Sequence, residues 1–288
     1  MGPRRTIRPN RWAIAVVLLA LLVGAGLAVA LTRSSSDAER PARQGVLWAI
    51  GDGATSGQPP KQVAALVARD RPERVLYLGD VYESGSPSEF KENFDGVYGP
   101  LVKSMLPTPG NHDWPAHAEG YDPYWRKVRG GPLPWWYSRG AGGWTLISLN
   151  SEDARDPAQL TWLRRRLRGT STCRIVFMHR PRFSAGRHGD QADLAPLWDA
   201  IEGRAALLLS GHDHDLQRFK PIHGTVQMVS GAAGRDLYAV DASDPRLAFS
   251  DDRHFGGLRM YLRPGRADLA FVAADGTVLD RSTVKCRR

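Results

Sequence analysis

Short apolar runs that each break off into a polar group constrain this chain more than any other feature. Val46-Leu47-Trp48-Ala49-Ile50 ends in Gly51-Asp52, and Val75-Leu76-Tyr77-Leu78 ends in Gly79-Asp80. Residues 106–109 lead into Gly110-Asn111-His112-Asp113, residues 174–178 into His179, and residues 205–209 into Gly211-His212-Asp213-His214. Continuous apolar runs of this length, bounded by glycine, read as strands covered on both faces. Helix-spaced segments lie between them at 59–69, 88–97, 157–167 and 194–202; Val63, Leu66 and Val67 share one face of the first. Strands at 226–229, 258–262, 269–272 and 278–284 then follow without intervening helices. That order predicts an α/β fold, as one mixed sheet or as two sheets packed face to face between helices. No internal repeat and no second domain is visible.

The first 44 residues are of different material. Residues 12–31 carry no charge and follow Arg4, Arg5, Arg8 and Arg11, with no acid before Asp37. Twenty uncharged residues suffice to span a bilayer as a helix, and flanking arginines hold the preceding end in the cytoplasm. Ala28-Val29-Ala30 also fits a signal-peptidase site, so residues 1–31 read as a transmembrane anchor or a cleavable signal. Either reading exports the rest, as an extracytoplasmic domain on the cell membrane or as a secreted protein. Residues 32–44 read as a linker, and residues 45–288 as one domain.

The formal charge of +9 invites a nucleic-acid reading that weakens on inspection. Four of those charges are the N-terminal arginines, which leaves +5 for the rest. Arg164-Arg165-Arg166 and Arg168 follow Leu160, Trp162 and Leu163, and so form the solvated face of an amphipathic helix. No nucleic-acid partner is expected. Cys173 and Cys286, an even pair in an exported chain, are expected to form one disulfide. Trp135-Trp136-Tyr137 reads as a strand packed into the core, ahead of a cleft lining. Asp251, Asp252 and His254 read as a solvated loop.

Side chains just beyond the carboxyl ends of strands converge on one edge of an α/β sheet. Asp52, Asp80, Asn111, His179 and His212 all stand there. An isolated Gly-Asp is commonly a turn, and a lone histidine after a strand commonly a hydrogen-bonded core residue. Their joint order points instead to a metal site with donors enough for two ions.

The set resembles the calcineurin-like metallophosphoesterases, and among them the small purple (tartrate-resistant type) acid phosphatases. Gly79-Asp80-Val81-Tyr82 carries the tyrosine that distinguishes the purple enzymes. His179-Arg180-Pro181 through His188-Gly189, and Gly211-His212-Asp213-His214-Asp215-Leu216-Gln217, match the small enzymes. Gly51-Asp52-Gly53 departs from the Asp-x-His of most of the superfamily. The resemblance spans residues 46–234 and weakens beyond them, with no separate N-terminal β-domain of the large plant kind.

The resemblance implies a four-layer α/β/β/α sandwich of two mixed β-sheets flanked by helices. It implies that Asp52, Asp80, Tyr82 and His214 hold one ion, and Asp80, Asn111, His179 and His212 the other, with Asp80 bridging. Two carboxylates and a phenolate suit Fe(III), because tyrosine, with an ordinary pKa of about 10, needs a strongly polarising cation to ionise near neutrality. Neutral imidazoles, an amide and one shared carboxylate suit a divalent ion of iron, zinc or manganese. The implied reaction is hydrolysis of a small phosphate monoester by direct attack of metal-bound hydroxide on phosphorus. His188 is expected to act as general acid and His112 to position the phosphate, with the two roles interchangeable. A phosphodiesterase or nucleotidase using the same centre, and a non-catalytic metal-binding surface module, are the competing readings.

Overall fold

The computed structural model describes Gly2 and residues 43–287. The chain divides into Met1–Pro41 and Ala42–Arg288, and the described strands and helices all belong to the second unit. The uncharged stretch at 12–31 and most of the 32–44 linker lie outside the described residues. Among the described residues, no helix is long and apolar enough to cross a membrane.

The strands are β1 (Arg43–Ile50), β2 (Pro72–Tyr77), β3 (Met105–Pro107), β4 (Tyr137–Ala141), β5 (Trp144–Ser148), β6 (Arg174–Phe177), β7 (Leu207–Ser210), β8 (Leu216–Phe219), β9 (Val226–Ser230), β10 (Leu247–Asp251), β11 (Gly256–Arg263), β12 (Arg266–Ala273) and β13 (Val278–Lys285). One sheet has the order β13-β12-β11-β1-β2-β3, the other β10-β8-β9-β7-β6-β5-β4. Both are mixed. β1, β2 and β3 run parallel while β11 pairs antiparallel to β1; β5, β6, β7 and β9 run parallel while β4, β8 and β10 pair antiparallel.

Alternating side chains of these strands enter different cores, which is why the runs are apolar without interruption. Leu47, Leu76, Phe177, Leu209, Met228 and Phe271 meet between the sheets. Trp48, Val75 and Tyr77 point the other way, onto α1 (Pro59–Asp70), whose Val63 and Val67 are fully buried. Ile147, Val176 and Leu208 pack on the far side against α5 (Pro157–Arg166) and α6 (Ala195–Ile201) through Leu163, Leu197 and Trp198. Two β layers between two helical layers result, as expected.

The helix expected over 88–97 is built from α2 (Pro87–Glu89), a π-helical turn (Phe90–Asp95) and α3 (Gly96–Tyr98). Phe90, Phe94 and Tyr98 thereby enter one aromatic cluster with Tyr77 and with Trp125 of α4 (Tyr121–Arg129). The linker reading of 32–44 ends early, because β1 already begins at Arg43 beside Pro72. Tyr137 is buried in β4 and donates its hydroxyl to the Pro107 carbonyl, as a core strand requires, whereas Trp135 is half-buried and donates to Asp122. Arg164, Arg165, Arg166 and Arg168 are exposed.

Cys173, just before β6, is bonded to Cys286, just after β13, so the disulfide ties the two sheets at one end. Closing 113 residues removes roughly 4–5 kcal/mol of unfolded-chain entropy in the loop model, of which 2–4 is usually realised. The Cys173→Ser/Cys286→Ser variant should therefore lose about 2–4 kcal/mol in urea unfolding. An unchanged midpoint would remove the bond from the stabilising set.

Candidate metal centre

Asp52, Asp80 and His212 each follow a glycine at the carboxyl end of a parallel strand, with φ of 61°, 68° and 71°. Side-chain-bearing residues avoid this left-handed region at a cost of order 1–3 kcal/mol, and structures retain it where surrounding contacts over-determine it. Here those contacts are carboxylates. Buried Asp113 accepts the backbone N–H groups of Asp80, Val81 and Gly110, each at 2.9 Å. Asp52 Oδ2 accepts from His212 N at 2.9 Å, and Asp80 Oδ1 from His112 N at 3.0 Å. Each aspartate spends one oxygen on a neighbouring loop and leaves the other for the interior. Gly110 is required because a Cβ there would collide with Asp80 Oδ1.

The free atoms form two groups. Tyr82 Oη lies 3.0 Å from Asp52 Oδ1 and 2.8 Å from His214 Nε2, with His214 Nε2 3.6 Å from Asp52 Oδ1. His179 Nε2 lies 2.9 Å from Asn111 Oδ1, 3.2 Å from His212 Nδ1 and 3.4 Å from Asp80 Oδ2. Donor atoms of Asp52, Asp80 and His179 lie within 4.8 Å of one another and join the two groups. The seven side chains expected as ligands thus lie in two adjoining groups, with Asp80 beside His179.

Backbone carbonyls fix the imidazoles. His179 Nδ1 donates to Leu78 O at 2.8 Å and His214 Nδ1 to Asp236 O at 2.7 Å. A carbonyl only accepts, so in both rings the outer nitrogen carries a proton and Nε2 is the nitrogen turned inward, where a metal ligand must stand.

Asp52, Asp80 and His179 are buried, and no lysine or arginine reaches them among the described residues. Burial first, then the charge of Asp80, pushes the Asp52 carboxyl well up, against the pull of His179. Burial also opposes ionisation of Asp80, but the charge and hydrogen bond of His179 bring it down to about 2. His179 is driven down by burial yet raised, chiefly by Asp80, to about 10. Burial, then the charges of His179 and His188, lowers His212 to about 2, and burial chiefly lowers His214 to about 4; both rings stay neutral and available. Tyr82 is pushed far up by burial, then by Asp52 and Asp80. Buried carboxyl groups that no lysine or arginine compensates, beside His179 and the neutral rings of His212 and His214, are a donor set that fits two metal ions.

His112 and His188 flank the groups. His112 Nδ1 donates to Glu83 O at 2.5 Å, and its Nε2 is 4.0 Å from Asp80 Oδ2. The His188 ring stacks on His212 at 4.1 Å and its Nδ1 is 2.9 Å from Asp213 Oδ1. Sequence reasoning quoted Asp113 and Asp213 inside their motifs but gave them no task. Tyr238, stacked on His214 at 4.0 Å and 24 positions beyond it, carried no signal at all. Asp251 ends β10 rather than lying in a loop, and pairs with His254 at 2.9 Å.

Asp113→Ala would leave three buried N–H groups without an acceptor. At about 1–3 kcal/mol each, the loss should reach roughly 3 kcal/mol or more in denaturant unfolding, with metal content falling alongside. Wild-type stability and metal content in that variant would contradict the role given to Asp113.

Comparison of the sequence with curated proteins finds no match. Among solved structures, GAP50, described as the anchor in the inner membrane complex of Plasmodium, is similar with a TM-score of 0.69 and 14% identity, over 84% of this chain and 89% of that one. Purple acid phosphatase PPD1 from yellow lupin (Lupinus luteus) seeds is similar with a TM-score of 0.68 and 17% identity, over 85% of this chain and 55% of that one. This chain therefore spans about half of the lupin protein. A dimetal phosphatase from Danio rerio gives a TM-score of 0.58 and 14% identity, over 83% and 98%. At these identities the likenesses concern the fold. The sequence itself matches the family model of the calcineurin-like phosphoesterases over residues 47–216, more than half of the chain, and the chain belongs to that family.

Proposed function

We propose that the chain is an exported phosphoric-monoester hydrolase of the purple acid phosphatase type. Asp52, Asp80, Tyr82 and His214 would hold Fe(III), and Asp80, Asn111, His179 and His212 a divalent ion of iron, zinc or manganese. The contact that carries this reading is the Tyr82 hydroxyl, 3.0 Å from Asp52 and 2.8 Å from His214. Ala54, two residues past Asp52, offers no side-chain donor, so tyrosine completes this group where an Asp-x-His would use imidazole. A phenolate among buried carboxylates is tenable only beside a highly charged cation. When bound, the two ions would supply Lewis acidity toward the phosphoryl oxygens and toward water.

The chain's own groups handle the leaving oxygen and the phosphate. His188 gives its Nδ1 to Asp213, so Nε2 is the nitrogen left for a substrate, and a proton there serves the departing alkoxide. Asp213 is buried and also accepts from Ser184 and from the His188 backbone, so the imidazole is held in one orientation. His112, fixed through Nδ1 by the Glu83 carbonyl, presents Nε2 as a donor for a phosphoryl oxygen. The Cys173–Cys286 bond supports export, since such bonds persist in oxidising compartments. With the arginine-flanked stretch at 12–31, it supports a membrane-held or secreted extracytoplasmic enzyme.

Iron-loaded protein should show a visible phenolate-to-iron band that Tyr82→Phe abolishes. A colourless iron-loaded wild type would rule out the purple type. His188→Ala should slow esters of poor leaving groups by about 10²–10⁴, and activated aryl esters far less. Equal slowing of both would remove its role as acid. The monoester of a phenol should be hydrolysed faster than its bis-ester; the reverse order would make the protein a phosphodiesterase.

A further inference from the structure

The outer face of the β11–β13 ribbon carries the exposed residues of three strands, with α1 reaching it through Asp70 at Arg259. Its strands alternate buried and exposed residues, unlike the parallel strands, so one side faces the core and the other faces out. The strand pairing puts Arg259, Ala270 and Arg281 in one row, Tyr261, Asp268 and Thr283 in the next, and Arg263, Arg266 and Lys285 in the third. Five cations therefore share this face with one acid of the ribbon, Asp268, and with Asp70, which reaches in from α1 to Arg259. Arg281 and Lys285 pair with no acid among the described residues.

Apolar exposure falls in the same place. Tyr261 at 45% and Val278 at 38% are the exposed large apolar side chains among the described residues, and both border this face. A shallow groove of about 520 Å³ runs between Arg259, Tyr261, Ala270 and Arg281. Basic side chains around an aromatic ring suit an anionic interface better than a packed protein core.

The point where the chain enters the domain adds direction. β1 pairs with β11 through Val46 and Tyr261, and Gly45 lies against the Tyr261 ring. Arg43 is twelve residues past Leu31, the end of the uncharged stretch, and that span reaches at most about 43 Å. On the anchor reading of residues 12–31, the chain thus enters the domain at the edge that carries the basic face.

We infer that the outer face of β11–β13 docks on an anionic lipid surface. Attraction between a few basic side chains and acidic headgroups is weak alone and is screened by salt. A tether on the same edge raises the local concentration, so weak attraction suffices to orient the domain.

The test uses the full chain in lipid nanodiscs of phosphatidylglycerol with phosphatidylcholine, against pure phosphatidylcholine. Lys285 is acylated by a water-soluble amine reagent and compared with Lys91 and Lys220, which lie elsewhere. Acylation of Lys285 should be at least about fivefold slower in the anionic discs, with Lys91 and Lys220 unchanged. The protection should vanish at 0.5 M salt and in the Arg263→Glu/Arg281→Glu variant. Equal reactivity in both discs would overturn the inference. Protection independent of lipid charge and salt would also overturn it, assigning the face to another part of this chain or to a second copy. Protection produced only by added DNA would assign it to nucleic acid instead.

Discussion

Asp80 is the residue on which the site turns. Its carboxylate is buried between two groups of donors, in a backbone conformation that aspartate adopts only under constraint. Three contacts impose that constraint: Asp113 takes its N–H, His112 N takes one of its oxygens, and Gly110 leaves room for the same oxygen. The second oxygen then faces His179 Nε2 at 3.4 Å, with His112 Nε2 at 4.0 Å. One oxygen is fastened and the other left free, and Asp52 repeats that division with His212 N and Tyr82.

The sheets make that division possible. β1, β2 and β3 deliver Asp52, Asp80 and Asn111 from one side, while β6 and β7 deliver His179 and His212 from the other. Gly51 N donating to Ser230 O, and Gly211 N donating to His179 O, stitch the strand ends across and within the sheets. The donors therefore sit at the ends of paired strands, over a core filled from both sheets. A site with so many buried polar groups costs stability, and that frame is what tolerates the cost.

Much of this was legible because parallel strands buried on both faces write themselves as unbroken apolar runs, and each run stopped at a donor. Asp52, Asp80, Asn111, His179 and His212 were visible for that reason. β8 and β10 were not, since Leu216–Phe219 follows directly on the histidine motif and Leu247–Asp251 is a short, half-exposed edge. α4 carries Pro123 in its first turn and many charges, which masked its buried Tyr121 and Trp125. The work of Asp113 and Asp213 was hidden for a different reason: most of their partners, among them Asp80 N, Val81 N and the His188 ring, are tens of residues away and only the folded chain brings them near. The basic face of β11–β13 was likewise dispersed among three strands and diluted in the net charge.

The central claim is that two cations share Asp80. Anomalous-scattering maps from crystals of the metal-loaded protein address it most directly. The account predicts two peaks per chain on either side of the Asp80 carboxylate, one by Tyr82 and His214, the other by Asn111, His179 and His212. A single peak, or peaks that leave Asp80 uncoordinated, would contradict it.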